Sequence, residues 1–86
     1  MQLLLTERFR QAYSSLEAAD QDRVKKALRL MTEDLRYPSL RVKKIQGTKG
    51  IWEARASWSL RITFQIEEGS MLLRNVGQHD EALRNP

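Results

Sequence analysis

With 86 residues the chain has room for one domain and a modest hydrophobic core. Its 41% hydrophobic and 30% charged residues are the balance of a folded protein rather than a disordered one. The absence of cysteine and the single histidine exclude a disulfide framework, a thiolate metal site and a multi-histidine metal site, so no cofactor is expected. A net charge of +4 and an isoelectric point near 9.9 favour polyanions as partners. The apolar opening Met1–Leu5 gives way at once to Thr6-Glu7-Arg8 and is too short for a signal segment or a membrane span. A cytoplasmic protein without a membrane partner is expected.

In chain order, Leu3–Leu5 reads as a short first strand. Thr6 is a good helix N-cap, with Glu7 placed to complement the helix dipole. Phe9, Ala12, Tyr13, Leu16 and Ala19 then recur at helical spacing, and Asp20 restarts the pattern as a second cap. Val24, Ala27, Leu28, Met31 and Leu35 continue the stripe to about Leu35, where Pro38 forbids further helix. Two amphipathic helices joined by a short link make a helical hairpin.

Beyond Pro38 the period changes from helix to strand. Arg41–Gln46, Ile51–Ala56, Leu60–Glu67 and Met71–Val76 read as four strands, separated by Gly47 and Gly50, by Ser57-Trp58-Ser59, and by Glu68-Gly69. The expected domain, covering residues 1–86, is α+β: an N-terminal strand and a helical hairpin packed on a mainly antiparallel sheet.

Alternation sorts the strand side chains into two faces. Leu60, Ile62, Phe64 and Ile66 share one, with Trp52, Ala54 and Ala56 beside them on the same face. Arg61, Thr63 and Gln65 share the other with Glu53 and Arg55. With the helices on the apolar face, those five polar residues are expected to line an open one. Arg36, Arg41, Lys43, Lys44 and Lys49 fall in a run that meets no acid until Glu53, which reads either as a polyanion surface or as a solvated face. Lys43 and Lys44 point to opposite faces of one strand, so only one of them lines any site on that sheet.

Four segments occur in order: Pro38-Ser39-Leu40-Arg41-Val42-Lys43-Lys44-Ile45-Gln46-Gly47, Gly50-Ile51-Trp52-Glu53-Ala54-Arg55, Leu60-Arg61-Ile62-Thr63-Phe64, and Val76-Gly77-Gln78-His79-Asp80. Through them the chain resembles the RelE/ParE superfamily of toxin–antitoxin toxins over nearly its whole length, and more closely its RelE-like branch. The resemblance implies a RelE-like fold and an endoribonuclease that cuts mRNA at the ribosome and arrests translation. It also implies a cognate antitoxin acting in trans. Arg61 matches the arginine that RelE-like toxins place on the scissile phosphate. His79 stands at the strand-end position where relatives carry an Arg or a His. The chain departs from many relatives in having Asp80, not an aromatic residue, after this position, and no aromatic follows Phe64.

Cleavage of RNA through its own 2′-hydroxyl needs a base or positioning group, a cation for the phosphorane, and an acid for the departing 5′-oxygen. His79 is the natural acid, since an imidazole supplies both protonation states near neutrality, and Asp80 orients its ring. Arg61 can grip phosphate through two N–H groups, or can pair across the strands with Glu53. Arg55 offers a second cation. Glu53 is a candidate base or, equally, an anchor for either arginine. Lys43, Lys44 and Arg41 are candidate RNA contacts. Trp58, in a turn, is placed to stack on a base or to cover the sheet end. Two other functions stay open at this stage: a ParE-like poison of DNA gyrase, and an inactive binding module of the same fold.

Overall fold

Thr6 makes the first junction of the molecule, in a computed structural model that describes residues 1–86. It ends strand β1 (Gln2–Leu5) and caps helix α1 (Glu7–Ser14), its Oγ1 accepting from the Phe9 N–H at 3.1 Å. The same hydroxyl donates to the Leu73 carbonyl at 2.8 Å, tying the helix start to a strand near the other end of the chain. Thr6→Ala removes both bonds. We expect it to cost about 1–2 kcal/mol of stability, read as a fall in urea midpoint without a change in slope.

Helix α1 stops at Ser14, short of the helix expected through Ala19. Gln21 Nε2 donates to the Tyr13 carbonyl at 2.9 Å and closes the corner early. Helix α2 (Ala18–Glu33) has Glu17 at its N-cap, and Asp20 falls in its first turn, where it pairs with Arg23 at 2.8 Å. The helix ends before Leu35 because the Asp34 carboxylate accepts the Arg36 N–H at 2.9 Å, turning the chain. The ion pair with the Arg36 side chain holds the Asp34 carboxyl below its usual range.

The expected strand Arg41–Gln46 shrinks to β2 (Lys43–Lys44). Pro38–Leu40 instead form a 3-10 turn, with Leu40 buried, and Arg41 closes it in the left-handed conformation (φ +44°). A residue held there cannot join a strand. Strands β3 (Ile51–Arg55), β4 (Leu60–Glu67) and β5 (Ser70–Gln78) follow, the last two joined by a tight turn in which Gly69 takes φ +69°. The five-stranded sheet has the order β1-β5-β4-β3-β2, with β1 parallel to β5 and every other pair antiparallel.

Phe9, Val24, Ala27 and Met31 of the helices meet Leu60, Ile62, Phe64, Met71, Leu73 and Val76 in one buried cluster. Each large side chain buried here contributes on the order of 1.5–3 kcal/mol. Strict alternation along β5 would have put Asn75 in that core after Met71 and Leu73. A β-bulge prevents this: Thr63 faces Asn75 while Phe64 faces Leu73, so Arg74 is the extra residue and Val76 turns inward.

The polar face is where the structure departs most from the expectation. A third helix, α3 (His79–Arg84), packs against β4 and β5, with Ala82 fully buried. The backbone oxygen of Pro86 accepts from Thr63 Oγ1 at 3.3 Å and from Arg74 Nε at 3.1 Å. Thr63 lies on the face opposite Ile62 and Phe64, so α3 and the residues after it close the surface expected to be open.

Candidate functional site

Three strands end together at one corner of the sheet. Arg55 of β3, Arg61 of β4 and Gly77 of β5 form one cross-strand row, and Leu60 pairs with Gln78 in the next. His79 follows immediately, the first residue of α3. Its backbone N–H donates to the Ser59 carbonyl at 2.7 Å, so the turn between β3 and β4 grips the start of the helix. The imidazole is half exposed, and its Nδ1 lies 3.0 Å from Asp80 Oδ1. The Asp80 carboxylate, itself 87% exposed, is therefore directed first at the histidine. The two side chains are thus in contact.

Arg61 is not displayed to solvent. It is 4% exposed, and its Nη1 donates to the carbonyls of Ser57 (3.2 Å), Trp58 (3.0 Å) and Leu60 (3.1 Å). Its Nε sits 3.7 Å from Glu53 Oε1, too far for a hydrogen bond, and has no other partner. Burial pushes the guanidinium below its ordinary pKa, the neighbouring Arg55 charge adds to that effect, and Glu53 opposes it. An arginine nonetheless stays charged in a protein.

Two expectations are corrected by these contacts. Arg61 does not line an open phosphate surface, because its side chain is buried and its Nη1 is held by backbone carbonyls of the turn and of Leu60. Glu53, 6% exposed, is the buried counter-ion of Arg61 and has no route to a substrate hydroxyl. Of the two readings the sequence left for this pair, the cross-strand ion pair is the one the side chains adopt.

Arg55 is only partly buried, and its guanidinium lies 5.9 Å from the centre of the Trp58 ring. The lysines separate as expected. Lys43 stands opposite Glu53 on the arginine side of the sheet, while Lys44 stands opposite Trp52, with its ammonium 5.3 Å from that ring. Arg41 joins neither: it leaves the sheet at the 3-10 turn and faces α2. The structure thus gathers Arg55, Arg61, His79 and Asp80 at one corner and sets Glu53 and Lys43 further along the same face, leaving Lys44 and Arg41 elsewhere.

The turn Ser57-Trp58-Ser59 was legible as a turn, but not as the part that joins Arg61 to His79. Arg61 holds its carbonyls from inside, and Ser59 holds the histidine from outside. No sequence signal announces this, since the bonds run through backbone oxygens. No group of three His, Asp or Glu side chains comes together anywhere in the molecule. No helix is long and apolar enough to cross a membrane.

No protein-family model matches the sequence, and no curated protein matches it. Solved structures do. The YafQ protein of E. coli superposes with a TM-score of 0.79 at 13% identity, over 92% of this chain and 93% of that one. The RelB–RelE antitoxin–toxin complex of Methanococcus jannaschii gives a TM-score of 0.74 at 16% identity, over 91% and 92%. A chain of the E. coli RelBE toxin–antitoxin complex gives 0.70 at 20% identity, over 90% and 94%. At these identities the likeness establishes a shared fold.

Proposed function

We propose that this chain, which has the RelE-like toxin fold, is the toxin of a type II toxin–antitoxin system and cleaves mRNA at the ribosome. The observation that carries the reading is His79, solvent-facing at a sheet corner, fixed through its backbone by Ser59 and through Nδ1 by Asp80. That contact leaves Nε2 without a protein partner, and Arg55 supplies a positive charge in the adjoining strand row.

In the proposed reaction the 2′-oxygen attacks the adjacent phosphorus and the bond from phosphorus to the 5′-oxygen breaks. His79 gives its Nε2 proton to that leaving oxygen, and Asp80, in contact with Nδ1, holds the ring in place. Arg55 offsets charge developing on the phosphorane. The 2′-hydroxyl proton passes to solvent, since the one buried carboxylate of this face, Glu53, is engaged with Arg61. Arg61 serves as a positioning residue: it fixes the turn on which both Trp58 and the His79 backbone depend. The step as proposed draws on no metal ion.

Antitoxin chains accompany the RelE of M. jannaschii and of E. coli. A cognate antitoxin encoded in trans is the expected partner here, drawn by the net positive charge of +4. The function is tested by inducing the protein in growing bacteria and mapping RNA 5′-ends. Expected are translation arrest and new mRNA ends inside coding sequences, relieved by co-expression of the neighbouring gene. DNA breaks with intact mRNA would point instead to gyrase, and normal growth with intact RNA to an inactive relative.

A further inference from the structure

Around the corner from His79, on the other side of the Ser57–Ser59 turn, lies a groove of about 350 Å³. Its floor is apolar, formed by core residues such as Ala27 and Leu40. Its walls carry Arg23 and Lys26 from α2, Arg41 from the 3-10 turn, and Arg55 and Trp58 from the sheet end. Of these cations only Arg23 has a carboxylate partner, Asp20 at 2.8 Å; Lys26, Arg41 and Arg55 have none within 4 Å. Like charges gathered on one concavity repel each other, and here little on the protein offsets them.

Two further features point to a ligand. Arg41 is the only non-glycine residue with a positive φ, a conformation that disfavours any side chain, yet it places a cation on the groove wall. Trp58 is 87% exposed, the most exposed large apolar side chain of the molecule, and the turn beneath it is clamped by Arg61. An indole left in water on a rigid turn is a ready platform for a planar ring.

We propose that this groove binds single-stranded RNA next to the cleavage corner, with one backbone phosphate held among Lys26, Arg41 and Arg55 and one base stacked on Trp58. The proposal rests on the RNA reading above. Arg55 belongs to both places: it borders the His79 corner in the strand row and lines the groove, so one strand of RNA can pass from groove to corner along it. Single-stranded RNA is favoured over duplex because a stacked base must be unpaired and splayed.

The test uses a fluorescein-labelled 2′-O-methyl RNA hexamer, which lacks the attacking hydroxyl and cannot be cut, followed by anisotropy with the intact protein. Trp58→Ala is expected to weaken binding about 5- to 100-fold, the range seen for one base stack. Arg41→Gly and Lys26→Gln are expected to weaken it and to flatten the dependence of log affinity on log salt by about 0.7 each. Arg29→Gln, the same charge change on α2 outside the groove, leaves affinity within twofold. Arg41→Gly also relieves the left-handed strain, so its melting temperature stays equal or rises while binding falls; a merely structural role would move both down together.

Equal affinity for a blunt RNA duplex, or wild-type binding in both Trp58→Ala and Arg41→Gly, overturns the groove. Preferential binding of an acidic peptide, with no affinity for the hexamer, overturns it in favour of a protein partner. Because the probe cannot react, these outcomes are independent of catalysis. A protein that binds the hexamer but cuts nothing loses the nuclease reading and keeps the groove. One that cuts mRNA yet binds the hexamer without regard to Trp58 and Arg41 does the reverse.

Discussion

Replacing His79 with alanine is expected to lower RNA cleavage by about 10²- to 10⁴-fold, the usual contribution of a positioned general acid. The fold is expected to be untouched. The imidazole is half exposed and its only side-chain partner is the neighbouring Asp80, while the bond that holds this corner, His79 N–H to the Ser59 carbonyl, belongs to the backbone and survives the change. Wild type and variant should share one urea midpoint within the ordinary scatter of surface substitutions, about 0.5 kcal/mol. Asp80→Asn should fall between them, because it keeps a hydrogen-bond acceptor for Nδ1 but replaces the carboxylate with a weaker, uncharged one. The measurement is single-turnover cleavage on ribosome-bound mRNA, with growth arrest in parallel. A folded His79→Ala protein that cuts at the wild-type rate would remove the histidine from the mechanism.

Arg61 should respond in the opposite sense, through stability first. Arg61→Met keeps the length of the side chain but strands the Glu53 carboxylate in a buried site and takes the shared donor from two turn carbonyls and that of Leu60. Breaking a buried ion pair from one side costs about 3–5 kcal/mol. For a chain of this length, whose whole stability is on the order of 4–13 kcal/mol, that is a large share. Glu53→Gln placed on the Arg61→Met background should recover part of the loss, since a neutral amide is cheaper to bury than an unpaired carboxylate. The double-mutant cycle by urea unfolding measures the coupling directly. A cost below about 1 kcal/mol for Arg61→Met would mean that the guanidinium does not hold the turn, and a direct phosphate contact would become the better account of it.

The contrast between these two residues also marks what the sequence could disclose. The helical stripes of Phe9 and of Val24, Ala27 and Met31, and the alternation through Leu60, Ile62 and Phe64, were legible because burial repeats with the period of the element. Arg61 and Glu53 were correctly placed on one face by the same count. Their burial was hidden because alternation assigns a face and not what covers it; part of the cover on this face is α3, a six-residue helix with too few apolar positions to announce itself and too short to form unaided. It is supported by what it covers. The bulge at Arg74 left no trace either, since Arg74 and Asn75 are both polar and alternation cannot show which of them is extra. At the 3-10 turn Pro38 did signal a break. The left-handed Arg41 went unread because the positive φ falls on a residue type that seldom adopts it.

The parallel pairing of β1 with β5 has a consequence in time. Gln2 lies beside Ser70, and Thr6 bonds to Leu73, so the first strand to be synthesised waits for nearly the last. Contacts of such sequence separation close late and slowly. Until β5 emerges, the outer strand has no neighbour, α1 lacks its tie to the sheet, and Gln78 and His79 are not yet on their strand end. The protein acquires its corner only when almost the whole chain has left the ribosome that made it. A copy truncated before β5 lacks that corner altogether.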